Sequence, residues 1–277
     1  MSVYKDNPLA YEDEIPIFSI PDYYTNNYEI ISSDHIKSMT CKSSNPWISN
    51  DIWNEMESST LDLFYKYSES IREKAGIKVL DVGVGLGRLL GKITKKCNNL
   101  EVYGMDISIP YLKEAKCQGI EVCYSRIEDM PYRENSFDFI LCTDVLEHVL
   151  DLNLCISKIL NVLKKNGLLI IRIPFMEDLT PYLENDYPYD LAHLRNFDRP
   201  NLEMLFTKIF QLQILEFRPG LYQRRKGWLK YNLPFKTYWR CLWRILRFIS
   251  LFSVKLEKFL IRKLFHPIEM NIVVKKI

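Results

Sequence analysis

Between residues 77 and 173, short continuous apolar runs alternate with segments whose apolar positions recur every three or four residues. The runs predict strands at 77–82, 100–105, 120–124, 137–142 and 167–173. The periodic segments between them predict helices at 87–97, 109–117 and 151–164. A further helix is expected near 199–208, followed by strands at 210–217 and 269–276. Upstream, Ile52, Trp53, Met56, Leu63, Phe64, Tyr67 and Ile71 recur at helical spacing from Ser49 to Ala75, and Gly76 is a natural stop. Residues 1–48 are rich in Tyr, Asn, Ser and Pro with weak periodicity, and are expected to form an irregular arm. Alternating strands and helices of this kind point to an α/β, doubly wound, mostly parallel sheet.

The first strand opens into chemistry. Lys78-Val-Leu-Asp-Val-Gly-Val-Gly-Leu-Gly-Arg-Leu-Leu90 ends an apolar run in Asp81 and passes through Gly83, Gly85 and Gly87 before a helix start. Without Cβ atoms the chain can turn sharply there and a ligand can lie against the backbone. The spacing does not suit a dinucleotide fingerprint, which wants its third glycine where Arg88 stands. The next strand, Leu100 to Ile107, also ends in an acid, Asp106, placed to accept hydrogen bonds from ribose hydroxyls. Together the two strand ends describe a nucleoside site.

VLDVGVGLGRLL, the acid ending VYGMDIS, and FDFILCTDVLEHV resemble class I S-adenosylmethionine-dependent methyltransferases, in particular the quinone- and glycan-modifying subgroup. The resemblance covers about residues 70–217 plus the last strand. It implies a Rossmann-like methyltransferase fold with a seven-stranded sheet, an N-terminal helical arm and a helical insertion before the last strand, which lies antiparallel beside its predecessor. The implied division is an arm at 1–48, a cofactor-binding core at 49–217, a basic cap at 218–267 and the final strand at 268–277. It implies S-adenosyl-L-methionine as cofactor, contacted by Asp81, Gly83, Gly85, Gly87, Asp106, Ile107, Ile127 and Thr143. The family's adenine segment reads Ser125-Arg-Ile-Glu-Asp-Met-Pro-Tyr132 here, with Arg126 where an acid is usual.

A sulfonium-bound methyl is already activated, so the protein's work is to align the acceptor and exclude water. A protonated acceptor also needs a base. Candidates are His193, in the loop Tyr187 to Phe197, and Asp144, just past the fourth predicted core strand. His193 can equally tie the loop down, and Glu147 and His148 read as packing residues. Tyr182, Tyr187 and Tyr189 could stack on a ring-bearing acceptor or pack beneath the loop. The acceptor implied is a small molecule, glycan or lipid-linked intermediate, methylated on oxygen. Carbon or nitrogen methylation on the same fold is the alternative, and so is a non-catalytic adaptor that keeps the pocket. No Asn-Pro-Pro-Tyr motif follows that strand, which argues against methylation of nucleic-acid bases.

Seven cysteines without a CxxC pair fit reduced thiols and no metal site. With no leader-like apolar segment and no run long enough to span a bilayer, a cytoplasmic protein is expected. The net charge of +2 conceals a split. From residue 218 onward there are fifteen Lys or Arg against Glu257 and Glu269, a balance of +13 that leaves −11 for the rest. Arg240, Arg244, Arg247, Lys255, Lys258 and Arg262 fall on one helical arc of about 80°. Trp239, Trp243, Leu246, Ile249, Phe252 and Phe259 occupy the remainder. Residues 239–263 therefore read as an interfacial helix on the inner face of an anionic membrane, or as an ordinary cap.

Overall fold

The fold was read from a computed structural model that describes residues 2–40, 50–69, 76–224 and 265–277, with scattered positions between 244 and 260. The chain forms β1 (Ala10–Glu12), β2 (Ile15–Ile17), α1 (Tyr23–Thr40), α2 (Asn50–Ser68), β3 (Ile77–Val82), α3 (Arg88–Thr94), β4 (Leu100–Asp106) and α4 (Ile109–Cys117). It continues through β5 (Glu121–Tyr124), β6 (Phe137–Thr143), α5 (Leu152–Val162), β7 (Leu163–Pro174) and α6 (Arg199–Glu203) to β8 (Gln213–Arg224) and β9 (Phe265–Lys275). A π-helical turn, Met204–Ile209, extends α6 across the expected helix.

One sheet orders these strands β1-β2-β5-β4-β3-β6-β7-β9-β8. Strands β5, β4, β3, β6 and β7 are parallel neighbours, while β9 lies antiparallel between β7 and β8. The expected seven strands are β3 to β9. The hairpin β1–β2 adds two more, with β2 joining the edge of β5 through Ile17 opposite Tyr124. Strand β3 shows why the central strands read as continuous apolar runs. Leu80 and Val82 enter one buried cluster, which also holds Ile156, Ile159 and Phe206. Ile77 and Val79 enter the other, with Leu63, Leu90 and Leu112. A strand covered on both faces has no polar side to alternate with.

Residues 23–40 of the arm are helical, in line with the helical arm that the resemblance implies and unlike the irregular one that the weak periodicity suggests. Helix α1 buries a face that is mostly polar and aromatic: Thr25, Asn27 and Ser32 are buried and Tyr24, Tyr28 and His35 partly so. Hydrogen bonds hold it, from Asn27 to the Leu191 carbonyl (3.0 Å) and between the Ser108 and Ser32 hydroxyls (2.6 Å). An apolar-periodicity test has no signal to find in such a helix. The insertion is also narrower than expected. Arg224 pairs with Phe265, so the two last strands run on to enclose 225–264. The predicted basic helix over 239–263 lies, apart from scattered positions, outside the described residues.

Chain order reverses at β3: the chain goes outward to β4 and β5, then returns to β6 on the other side. The carboxyl ends of β3, β4 and β6 therefore diverge around a crevice, which is where open α/β sheets bind ligands.

Candidate active site

Backbone pairing builds the glycine-rich edge. The N–H groups of Gly83 (2.8 Å) and Val84 (3.0 Å) donate to the Met105 carbonyl, tying the loop after β3 to the end of β4. The Gly85 N–H then donates to Asp106 Oδ2 at 2.9 Å. Two glycines in this loop do different jobs. Gly87 has φ 75°, and a Cβ there would press on Ala115 of α4 at 3.1 Å. Gly85 has φ 50°, and a Cβ there would meet nothing within 4 Å. Gly87 thus permits close helix packing, while Gly85 borders open space.

Asp106 is partly buried and well supplied with donors. Oδ1 accepts from the Ile107 (2.8 Å) and Ser108 (3.0 Å) N–H groups. Burial raises its pKa to about 6, and the three backbone donors oppose that rise. A carboxylate offers about four acceptor positions, so Oδ2 keeps one for a hydroxyl. Asp81 is buried, and its Oδ1 has no partner among the described residues. Burial drives its pKa well above the usual range, Arg172 opposes this, and Asp106 and Asp144 reinforce it.

These groups line a cavity of about 1490 Å³ together with Ile107, Ile127 and Thr143. Single-ligand pockets usually occupy about 300–1,000 Å³, so two reactants fit side by side. Helix α1 roofs the cavity with Tyr24, Tyr28 and His35. Arg126, which also lines it, is engaged elsewhere. Its guanidinium donates to Asp129 (3.0 Å) and to Asp22 (2.7 Å), clamping the adenine segment to the residues just before α1.

Asp144, Glu147, His148, Arg172, Glu177, His193 and Glu269 line the same cavity. The 176–197 loop is pinned there by its backbone. Met176 N–H donates to the Phe197 carbonyl (2.8 Å), Leu194 N–H to the Glu147 carbonyl (2.8 Å), and Arg195 to the Leu146 carbonyl (2.9 Å). His193 consequently faces the cavity, with Nδ1 donating to Glu177 Oε2 at 2.5 Å. Tyr182 donates to the other Glu177 oxygen at 2.6 Å. His148 packs edge-on to His193 (centroids 4.7 Å apart) and shares a 2.7 Å hydrogen bond with Tyr28. Burial, and then His193, depress the pKa of His148 to about 3, so its ring is neutral.

Asp144, the other expected base, is differently placed. Both of its carboxylate oxygens accept from Arg172, at 3.1 Å from Nε and through a shorter bond from a terminal nitrogen. A carboxylate so occupied is a poor proton acceptor, which argues against the sequence expectation for this residue. Sequence reasoning passed over Arg172, Glu177 and Glu269, which are separated along the chain and carry no motif. Glu147, His148 and His193 each bring one ligand-capable atom within 4.8 Å of the others. No cysteine takes part in this group, so the cysteine spacing could not have announced it.

Comparison with known proteins bears on this crevice. A family model described as a methyltransferase domain matches residues 80–171, which run from β3 through β7. The match places a methyltransferase domain at residues 80–171. An uncharacterized protein of Methanocaldococcus jannaschii is 35% identical over 103 residues, covering 37% of this chain and 43% of that one. A ubiquinone biosynthesis O-methyltransferase of Nitrobacter winogradskyi is 32% identical over 112 residues, covering 38% and 42%. The chain thus spans less than half the length of these curated relatives. Magnesium protoporphyrin IX methyltransferase from Synechocystis PCC 6803, solved with bound SAH, shares the fold. Its TM-score is 0.55, with 12% identity, covering 91% of this chain and 98% of that one. The methyltransferase domain's crevice fits S-adenosylmethionine: Gly85 leaves open space, Oδ2 of Asp106 keeps an acceptor position, and Asp81 Oδ1 awaits a donor.

Proposed function

We propose that this protein transfers a methyl group from S-adenosylmethionine to a small-molecule, glycan or lipid-linked acceptor. The observation that carries the reading is the tether from Gly85 N–H to Asp106, which joins a side-chain-free cradle to a half-buried carboxylate in one cavity. Asp106 would hold the ribose, Asp81 the amino group, and Ile107, Ile127 and Thr143 the cofactor's flanks. The cofactor supplies an electrophilic methyl; the chain's own residues orient the acceptor and shield it from water. Calorimetry with S-adenosylhomocysteine tests the reading, and failure to bind would leave the adaptor alternative.

His193 is the base or acceptor contact. Glu177 fixes its Nδ1–H, which leaves Nε2 to meet the acceptor. His193→Ala should lower kcat about a hundredfold while the KM for the cofactor stays unchanged. A mass-spectrometric assay of the first acceptor found to gain a methyl measures this, and unchanged turnover removes the assignment. The ubiquinone-pathway relative is named for an oxygen acceptor, which keeps oxygen methylation as one reading.

The charge split supports contact with an anionic surface. Six cations on the 239–263 stripe would each contribute about 1 kcal/mol at a membrane before screening. The protein should therefore sediment with phosphatidylglycerol vesicles at low salt and be released at high salt. Recovery in the supernatant at low salt would exclude the membrane. Among the described residues no helix is long and apolar enough to cross one.

A further inference from the structure

The acceptor end of the cavity holds more acid than its cations neutralise, and we infer that the acceptor is an organic amine bound there as an ammonium ion. This deepens the methyl-transfer reading and rests on it. Four carboxylates line this end: Asp144, Glu147, Glu177 and Glu269. Arg172 is committed to Asp144, and Glu177 accepts from Tyr182 and His193. Glu147 and Glu269 are left over. Glu147 is 0% exposed and neither of its oxygens has a hydrogen-bond partner among the described residues, the neutral His148 ring standing 3.9 Å from Oε1. Glu269 is 7% exposed and its Oε2 is likewise unpartnered. A carboxylate in such a place keeps a proton or meets a cation. Burial, followed by the charge of Asp144, pushes both toward the protonated form, so a cation entering between them replaces protons rather than water.

A second observation identifies the kind of cation. Three tyrosines of the 176–197 loop line the same cavity with their rings turned edge to face. Tyr182 and Tyr187 have centroids 5.1 Å apart at 78°, and Tyr187 and Tyr189 5.9 Å apart at 79°. The Tyr182 and Tyr187 rings neighbour Glu177, so an alkylammonium entering this cavity meets both aromatic quadrupoles and carboxylates. A divalent ion on Glu147, His148 and His193 would gain nothing from those rings.

The chemistry closes with groups already in place. The ammonium loses one N–H proton to Nε2 of His193, whose Nδ1–H stays on Glu177. The freed lone pair forms a bond to the methyl carbon as the carbon–sulfur bond breaks. Sulfur keeps that electron pair and becomes a neutral thioether, and the positive charge passes to the N-methylated product.

Calorimetry on the full chain saturated with S-adenosylhomocysteine tests this. The probes are n-alkylamines from butylamine to decylamine and phenethylamine, each paired with the alcohol of the same skeleton. At least one amine should bind about tenfold more tightly than its alcohol. Glu147→Gln and Glu269→Gln should each remove about tenfold of that amine's affinity while S-adenosylhomocysteine binds within about twofold of wild type. Retained cofactor-product binding shows that both variants are folded. The proposal is overturned if no amine binds saturably, if the alcohols bind as well, or if the preference survives both variants. Stoichiometric Zn2+ binding without any amine binding also overturns it. Absence of S-adenosylhomocysteine binding in the wild type would count against the methyl-transfer reading itself, and this proposal would go with it.

Discussion

Asp106→Ala should weaken S-adenosylhomocysteine binding about a thousandfold and leave the fold intact. Of the charge-assisted hydrogen bonds lost, two bear on the ligand: the one Oδ2 can accept from a ribose hydroxyl, and the one from Gly85 that shapes the cradle. Each is worth about 1.5–3 kcal/mol, and about 4 kcal/mol corresponds to three decades of affinity. Fold integrity follows because Asp106 joins the β4–β5 ladder opposite Tyr124 through its backbone, which alanine keeps. Calorimetry gives the affinity and circular dichroism the fold. A drop of less than tenfold would show that the nucleoside is held elsewhere.

The same residue sets a pH dependence. Its folded pKa of about 6 lies above the ordinary carboxylate value, and a hydroxyl donates a charge-assisted bond only to the ionised form. Protons therefore compete with the ligand, so affinity is full above that pKa and lost as pH falls through it. From pH 8 to pH 5 the wild type should lose about tenfold through Asp106, and the alanine variant should lack this component. Two profiles that fall in parallel would assign the titration to another group, such as Asp81.

The cofactor half of this site was legible in the sequence because it is local. Gly83, Gly85, Gly87 and Asp106 sit on consecutive β-α units, and the parallel register of β3 with β4 brings Asp81 opposite Gly104 and the two strand ends together. Continuous apolar runs located the five parallel strands β3 to β7 for the same reason: burial on both faces leaves a dense signal. What escaped was non-local. The roof, α1, buries Thr25, Asn27 and Ser32, and its partners lie in α4 and in the 176–197 loop. Glu269 belongs to the last strand and Glu177 to a loop, and only the insertion of β9 between β7 and β8 sets them beside Asp144. A motif can carry residues that are neighbours along a few turns of chain. It cannot carry a charge cluster assembled by sheet order.

Arg172 is the keystone of that cluster, and Arg172→Met should cost about 3–5 kcal/mol of stability. Its side chain is 2% exposed and the largest of the fully buried ones. Burial alone disfavours its charge, and Asp144 more than offsets this. A third nitrogen donates to Thr60 at 3.4 Å, and Thr60 in turn donates to Asn271 at 2.7 Å, so one chain of contacts links β6, β7, β9 and α2. Removing the guanidinium leaves Asp144 as an unpaired charge among Glu147, Glu269 and Asp81. For a chain of this length that corresponds to a fall in Tm of about 10 °C. Asp144→Asn in the same background removes the stranded charge, and asparagine tolerates the left-handed φ of 56° found there. The double variant should therefore regain most of the loss, within about 1 kcal/mol of wild type. Urea unfolding of the four proteins in the cycle measures the coupling. If the double variant is as unstable as Arg172→Met alone, packing rather than charge holds this corner, and the excess acid that favours an ammonium guest loses its counterweight as an explanation.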